Sequence, residues 1–240
     1  MSTSTAVTGA KPAPGRLAGV KEQLRRYAHA ALDPLVALLA RTGATPDQVT
    51  VLGTLLSVGS GLAFFQGRFR TAATLLILSG LCDILDGQLA RRQGFSSRFG
   101  AFFDSTLDRF AEAAVLAGIM GFYLRNLVAL VFQSSEALAQ IAVGLDPTTW
   151  AVMAFTAVLA LVASFMVSYT RARAEGLGLE CKTGWFERPE RLTLLVIAGL
   201  LKVFWAMSAA LLLLAVLSFW TATQRVRHVW KLTRGAGRDH

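Results

Sequence analysis

Ionisable side chains are scarce in this chain. Asp, Glu, Lys and Arg make up 16% of its 240 residues, against about a quarter in an ordinary soluble domain. Hydrophobic residues make up 54%. That balance excludes a simple water-soluble globule, because the surplus apolar surface needs a bilayer as its second solvent. Cysteine is nearly absent. Cys82 and Cys181 are the only two, too few for a disulfide framework and without metal-site spacing. They read as a helix-packing residue and a loop residue. Residues 1–15 lack an apolar core, so they read as a disordered start with no cleavable signal peptide.

What is present is a series of long apolar runs. A membrane-spanning helix needs about 20 mostly apolar residues. Six candidates occur, at roughly 48–66, 71–92, 99–124, 149–170, 190–203 and 204–224. The third could extend toward Phe132, and the last two divide near Lys202 and Trp205. The connection 125–148 reads as irregular or partly helical, with Asp146-Pro147-Thr148 as a helix start. Upstream, Leu17, Val20, Leu24, Tyr27, Ala28, Ala31 and Leu35 recur at helical spacing between basic residues. Residues 17–41 therefore read as an amphipathic helix in the interface plane, bent at Asp33-Pro34. The fold expected is an all-α integral membrane protein with six transmembrane helices after an interfacial N-terminal helix. Its expected divisions are a disordered 1–15, a membrane domain over 16–230 and a cytoplasmic tail over 231–240.

Lys and Arg orient the spans. With the N-terminus inside, the inside segments 1–47, 91–109, 171–191 and 225–238 hold 20 of the 24 basic residues. Arg68, Arg70, Arg125 and Lys202 remain outside. This is a strong positive-inside bias. It places both termini in the cytoplasm and accounts for the net charge of +9 as topology and attraction to anionic lipid, not nucleic-acid binding.

Against this background four aspartates stand out, since ionisable groups within membrane helices mark function by default. Asp83 and Asp86 are three residues apart and share a helix face, as do Asp104 and Asp108, four apart. Both pairs lie near the cytoplasmic ends of consecutive antiparallel helices, so they can face each other. Four carboxylates so close suit a hard divalent cation. Ion pairing with Arg91, Arg92, Arg98 and Arg109 is the alternative. Gly87, Ala90 and Gly100 leave room for a ligand to approach the backbone, and Arg91 adds a fork suited to phosphate. A cation transporter would also place carboxylates in a membrane, but near the midplane in broken helices.

Written out, the stretch is Asp83-x2-Asp86-Gly87-x2-Ala90-Arg91-x8-Gly100-x3-Asp104-x3-Asp108. It resembles the complete signature of the CDP-alcohol phosphotransferase family, and the six spans and interfacial helix match that family's architecture. The resemblance implies displacement of CMP from a CDP-linked lipid by an alcohol. It implies Mg²⁺ or Mn²⁺, two ions per protomer, held by Asp83, Asp86, Asp104 and Asp108, with Asp108 also the general base. It assigns nucleotide binding to Gly87, Ala90, Arg91, Ser97 and Gly100, and to Pro46, Asp47, Gln48 and Val49. On sequence alone that last segment is a capped helix start.

The acceptor is read from three stretches. These are Phe99–Arg109, Ser168–Glu175 and Glu187-Arg188-Pro189-Glu190-Arg191, and together they look like phosphatidylinositol-phosphate synthases and their archaeal counterparts. Phosphatidylglycerophosphate synthases tend to follow the third aspartate with Pro and the fourth with Lys, where this chain has Ser105 and Arg109. Arg171, Arg191 and Arg225 are the candidates for the acceptor's phosphate, topology anchoring being the other role open to each. The family has Lys at the place of Arg171. The resemblance thus implies CDP-diacylglycerol or CDP-archaeol as donor, a phosphorylated polyol as acceptor, a homodimer, and an active site at the cytoplasmic face of the cell membrane. Glycerol phosphate, serine and free inositol are the other acceptors of this chemistry.

Overall fold

The computed structural model describes residues 32–94, 97–132, 144–181, 183–201 and 203–236. The disordered start, most of the interfacial helix and the middle of the 125–148 connection lie outside the described residues. Among the described residues all regular structure is helical. Helix α1 covers 32–41, continuing unbroken past Asp33-Pro34. Then follow α2 (Pro46–Phe65), α3 (Phe69–Gln93), α4 (Arg98–Phe132), α5 (Pro147–Gly176), α6 (Arg188–Leu201) and α7 (Phe204–Ala236). The last continues into the stretch expected to be a tail.

The helix starts follow from local chemistry. At α2, Thr45 accepts from the Gln48 N–H at 3.3 Å and the Gln48 side chain accepts from the Thr45 N–H at 3.1 Å, a reciprocal capping box with Pro46 in the first turn. At α5, Asp146 accepts from the Thr149 N–H at 2.7 Å. Hydrogen bonding from the Thr149 side chain, and then from its backbone N–H, holds the Asp146 carboxyl below its ordinary range.

Five helices are long and apolar enough to cross a membrane: α2, α3, α4, α5 and α7. The remaining expected span, the fifth at 190–203, is α6, with only 14 residues. At about 1.5 Å per residue it covers about 21 Å of a core about 30 Å thick.

The six helices α2–α7 pack in a closed ring. α2 touches α3 and α4, α4 touches α5, α5 touches α7, α7 touches α6, and α6 returns to α3. α3 and α4 are separated by a short turn in sequence, yet do not pack directly on each other. The α2–α4 seam is the tightest. A Cβ on Gly118 would lie 2.0 Å from the Gly61 carbonyl oxygen, so only glycine fits there. The small residues of α2 thus serve packing within the chain, and Ser57 and Ser79 share a hydrogen bond at 2.8 Å.

The two ends of the ring differ. At one, Phe69, Phe122, Trp150 and Phe204 form edge-to-face contacts with centroids 4.9–5.9 Å apart. At the other lie the start of α2, the end of α3, the start of α4, the end of α5 and the start of α6, and there the charged residues gather.

Candidate active site

Asp83 and Asp86 on α3 face Asp104 and Asp108 on α4 across the space those helices leave open. Asp86 is buried and its Oδ2 accepts from Thr50 Oγ1 at 2.7 Å, which fixes its orientation from α2. Gly53 keeps α2 close at this level, where an added Cβ would meet Cys82 at 3.0 Å and the Asp83 carboxylate at 3.6 Å.

The guanidinium nearest the aspartates is none of the four that adjacency in sequence suggests. It belongs to Arg188, the first residue of α6. Its Nη1 lies 2.5 Å from Asp83 Oδ2 and 2.7 Å from Asp108 Oδ1. Arg109 is more distant from Asp108, at 3.9 Å, and donates to Ser168 Oγ instead. Arg92 turns away to Asp33 at 3.2 Å. Arg188 sits 105 residues from Asp83, so only the ring closure of α6 against α3 brings them together. The Glu187–Arg191 run carries this position in the sequence, but nothing local to the run distinguishes Arg188 from Arg191.

Two cavities open on either side of Asp104. The first, about 530 Å³, is lined by Pro46, Asp47, Thr50, Asp86, Gly87, Ala90, Arg91, Ser97, Gly100 and Asp104, among others. The expected nucleotide positions thus converge, with two exceptions. Gln48 is used in the capping box, and Val49 is buried against α3 with Cys82 and Leu85. Ser97 Oγ accepts from the Gly100 N–H at 2.8 Å and caps α4. Among the described residues Arg91 makes no ion pair.

The second cavity, about 690 Å³, is lined by Asp104, Arg109, Arg171, Arg188, Arg191 and Arg225, with Glu175, Glu187 and neighbours. All three expected acceptor arginines reach it, but their circumstances differ. Arg191 is 1% exposed and pairs in a fork with Glu112, at 2.6 and 3.0 Å. Arg225 is buried and donates to the carbonyls of Val167 and Thr183 and to Glu187, tying down the loop before α6. Arg171 is 42% exposed and meets Glu175 at 2.9 Å and Glu187 at 3.8 Å. Glu112, one turn beyond Asp108 on the same face, escaped the sequence reading because its partner lies on a distant helix.

The donor set fits a divalent cation in chemistry and charge. All its members are hard carboxylate oxygens. Around the centre, Asp83, Asp86, Asp104, Asp108 and Glu112 face Arg109, Arg188 and Arg191. Ionised, five negative and three positive groups leave two negative charges unmatched. Among the described residues, no three His, Cys, Asp or Glu side chains already converge as a finished cage. The space between Asp83 and Asp108 is bridged by Arg188.

Residues 44–222 match the family described as CDP-alcohol phosphatidyltransferase. The chain is 34% identical over 211 residues to the archaetidylinositol phosphate synthase of Methanothermobacter thermautotrophicus, covering 87% of this chain and 91% of that one. It is 38% identical over 210 residues to the phosphatidylinositol phosphate synthase of Mycolicibacterium smegmatis, 85% of each chain. Among solved structures, the Mycobacterium tuberculosis phosphatidylinositol phosphate synthase with CDP-DAG bound aligns with a TM-score of 0.67 at 33% identity, over 85% of this chain and 94% of that one. The same synthase in complex with manganese and citrate aligns at 0.66 with 34% identity, over 82% and 88%.

Proposed function

The chain belongs to the CDP-alcohol phosphatidyltransferase family, and on that premise we propose that it transfers the phosphatidyl group of CDP-diacylglycerol, or its archaeol counterpart, to an inositol phosphate and releases CMP. The observation that carries this reading is the pair of cavities meeting at Asp104. One is lined by the nucleotide signature and the other by arginines suited to a phosphorylated polyol.

The donor's nucleotide and pyrophosphate lie in the first cavity. Gly87, Ala90 and Gly100 leave the backbone open to close approach there, and Arg91, which makes no ion pair among the described residues, offers its guanidinium to phosphate. Asp83, Asp86, Asp104 and Asp108 hold the cation, Mg²⁺ or Mn²⁺ and two ions in this reading, which when bound neutralises charge on the departing CMP. The acceptor's phosphate is held in the second cavity, with Arg171 the most accessible of the three expected arginines. Its hydroxyl oxygen then forms a bond to the lipid-bearing phosphorus, the anhydride bond to CMP breaks, and the hydroxyl proton passes to Asp108.

The same reading keeps six crossings of the cytoplasmic membrane, with both termini and the active site on the cytoplasmic side. Its support is the path of α6. Glu187 just before it meets Arg225, and Phe204 just after it meets Trp150 at the opposite end. A membrane domain over 16–230 and a homodimer rest on the resemblance alone.

The test supplies membranes containing the protein with CDP-diacylglycerol and one acceptor at a time: inositol phosphate, glycerol 3-phosphate, serine or free inositol. CMP release with inositol phosphate is expected. Release with glycerol phosphate and none with inositol phosphate would overturn the acceptor.

A further inference from the structure

Arg188 holds its two aspartates in an unusual way. Arginine ordinarily meets carboxylates through two parallel N–H bonds, and Arg191 does so with Glu112 through Nε and Nη2. Arg188 instead uses the single nitrogen Nη1 for both Asp83 and Asp108, and its buried Nε has no hydrogen-bond partner. The charge is therefore placed where a cation shared between α3 and α4 would sit, yet among the described residues the guanidinium is anchored through one atom. The rest of Arg188 already lines the arginine-rich cavity beside Arg171, Arg191 and Arg225.

We propose that Arg188 is a resident counter-ion that competes with the divalent cation for Asp83 and Asp108. Cation binding releases its guanidinium into the second cavity, where it takes the acceptor's phosphate. This rests on the reading of the site as a cation-dependent phosphatidyltransferase. Its consequence is an order of events. Without the cation, Arg188 ties α3 to α4 and is withheld from the acceptor. With the cation, one cationic donor is added to the acceptor cavity. Cation and phosphate therefore strengthen each other's binding, each by the same factor.

The experiment measures Mn²⁺ binding to the purified full chain by the electron paramagnetic resonance signal of free Mn²⁺, with and without inorganic phosphate. In the wild type, phosphate tightens Mn²⁺ binding. Arg188→Gln binds Mn²⁺ about tenfold more tightly than wild type, within the usual range of coupling between sites, and phosphate no longer changes that affinity. Unchanged or weaker Mn²⁺ binding in Arg188→Gln, or phosphate coupling that survives there, overturns the proposal while leaving the cation reading intact. A wild type that takes up no Mn²⁺ overturns the cation reading itself. Should Arg188→Gln fail to fold, Arg188→Lys keeps the charge without the guanidinium fork. It is expected to bind Mn²⁺ about threefold more tightly, with weakened coupling, and wild-type behaviour in both respects overturns the proposal.

Discussion

The two cavities on either side of Asp104 are built from opposite kinds of residue. The first is lined by small side chains and carries Arg91, which makes no ion pair among the described residues. The second is lined by five arginines, and the three foreseen from sequence all have protein partners: Glu112 for Arg191, Glu187 for Arg225, and Glu175 for Arg171. A cationic pocket in a membrane protein must be kept folded before its ligand arrives, and these glutamates and carbonyls do that. Presence in the cavity therefore does not equate an arginine with a ligand. Burial separates Arg191 and Arg225, which hold the helices, from Arg171, which is accessible.

That difference can be broken by substitution. The largest effect is expected at the junction. Asp108→Asn should lower kcat by about 10²–10⁴-fold, the usual contribution of a positioned base, while CDP-lipid binding persists. Wild-type turnover would remove Asp108 from the chemistry. Next comes Arg191→Gln, which removes the forked partner of buried Glu112 and leaves it, among the described residues, only Arg109 at 3.5 Å. It should cost about 3–5 kcal/mol of stability, seen as a fall in Tm in detergent. An unchanged Tm with a raised acceptor KM would move Arg191 to the ligand side. Smaller again is Arg171→Gln. Its exposed pairs contribute at most about 1 kcal/mol to stability. Its acceptor KM should rise about tenfold, the loss of one charged hydrogen bond, with donor KM unchanged.

Much of the junction was legible in the sequence, because membrane helices carry so few charges that Asp83, Asp86, Asp104 and Asp108 could not pass as surface. Helical spacing then determined which of them share a face. The α5 start was equally plain from Asp146-Pro147, since a helix cap is a local arrangement. Arg188 and Glu112 were not legible. Each acquires its meaning from a partner about 80 or more residues away, brought close only by ring closure. The same limit applied to Val49, whose packing against α3 is a tertiary contact, whereas Gln48 is exposed and spends its side chain locally in the capping box. At α6 length and apolarity alone do not identify a span, because its 14 residues fall short of the length of a full crossing. Hydropathy separated the run near Lys202 and put this segment at 190–203, within two residues of the observed Arg188–Leu201.

The account stands most directly on the separation of donor from acceptor, and Arg91→Ala tests it in one set of saturation curves. Loss of this guanidinium from the first cavity should raise the KM for CDP-diacylglycerol about tenfold or more, with the KM for inositol phosphate unchanged. A raised KM for inositol phosphate with an unchanged KM for CDP-diacylglycerol would contradict it.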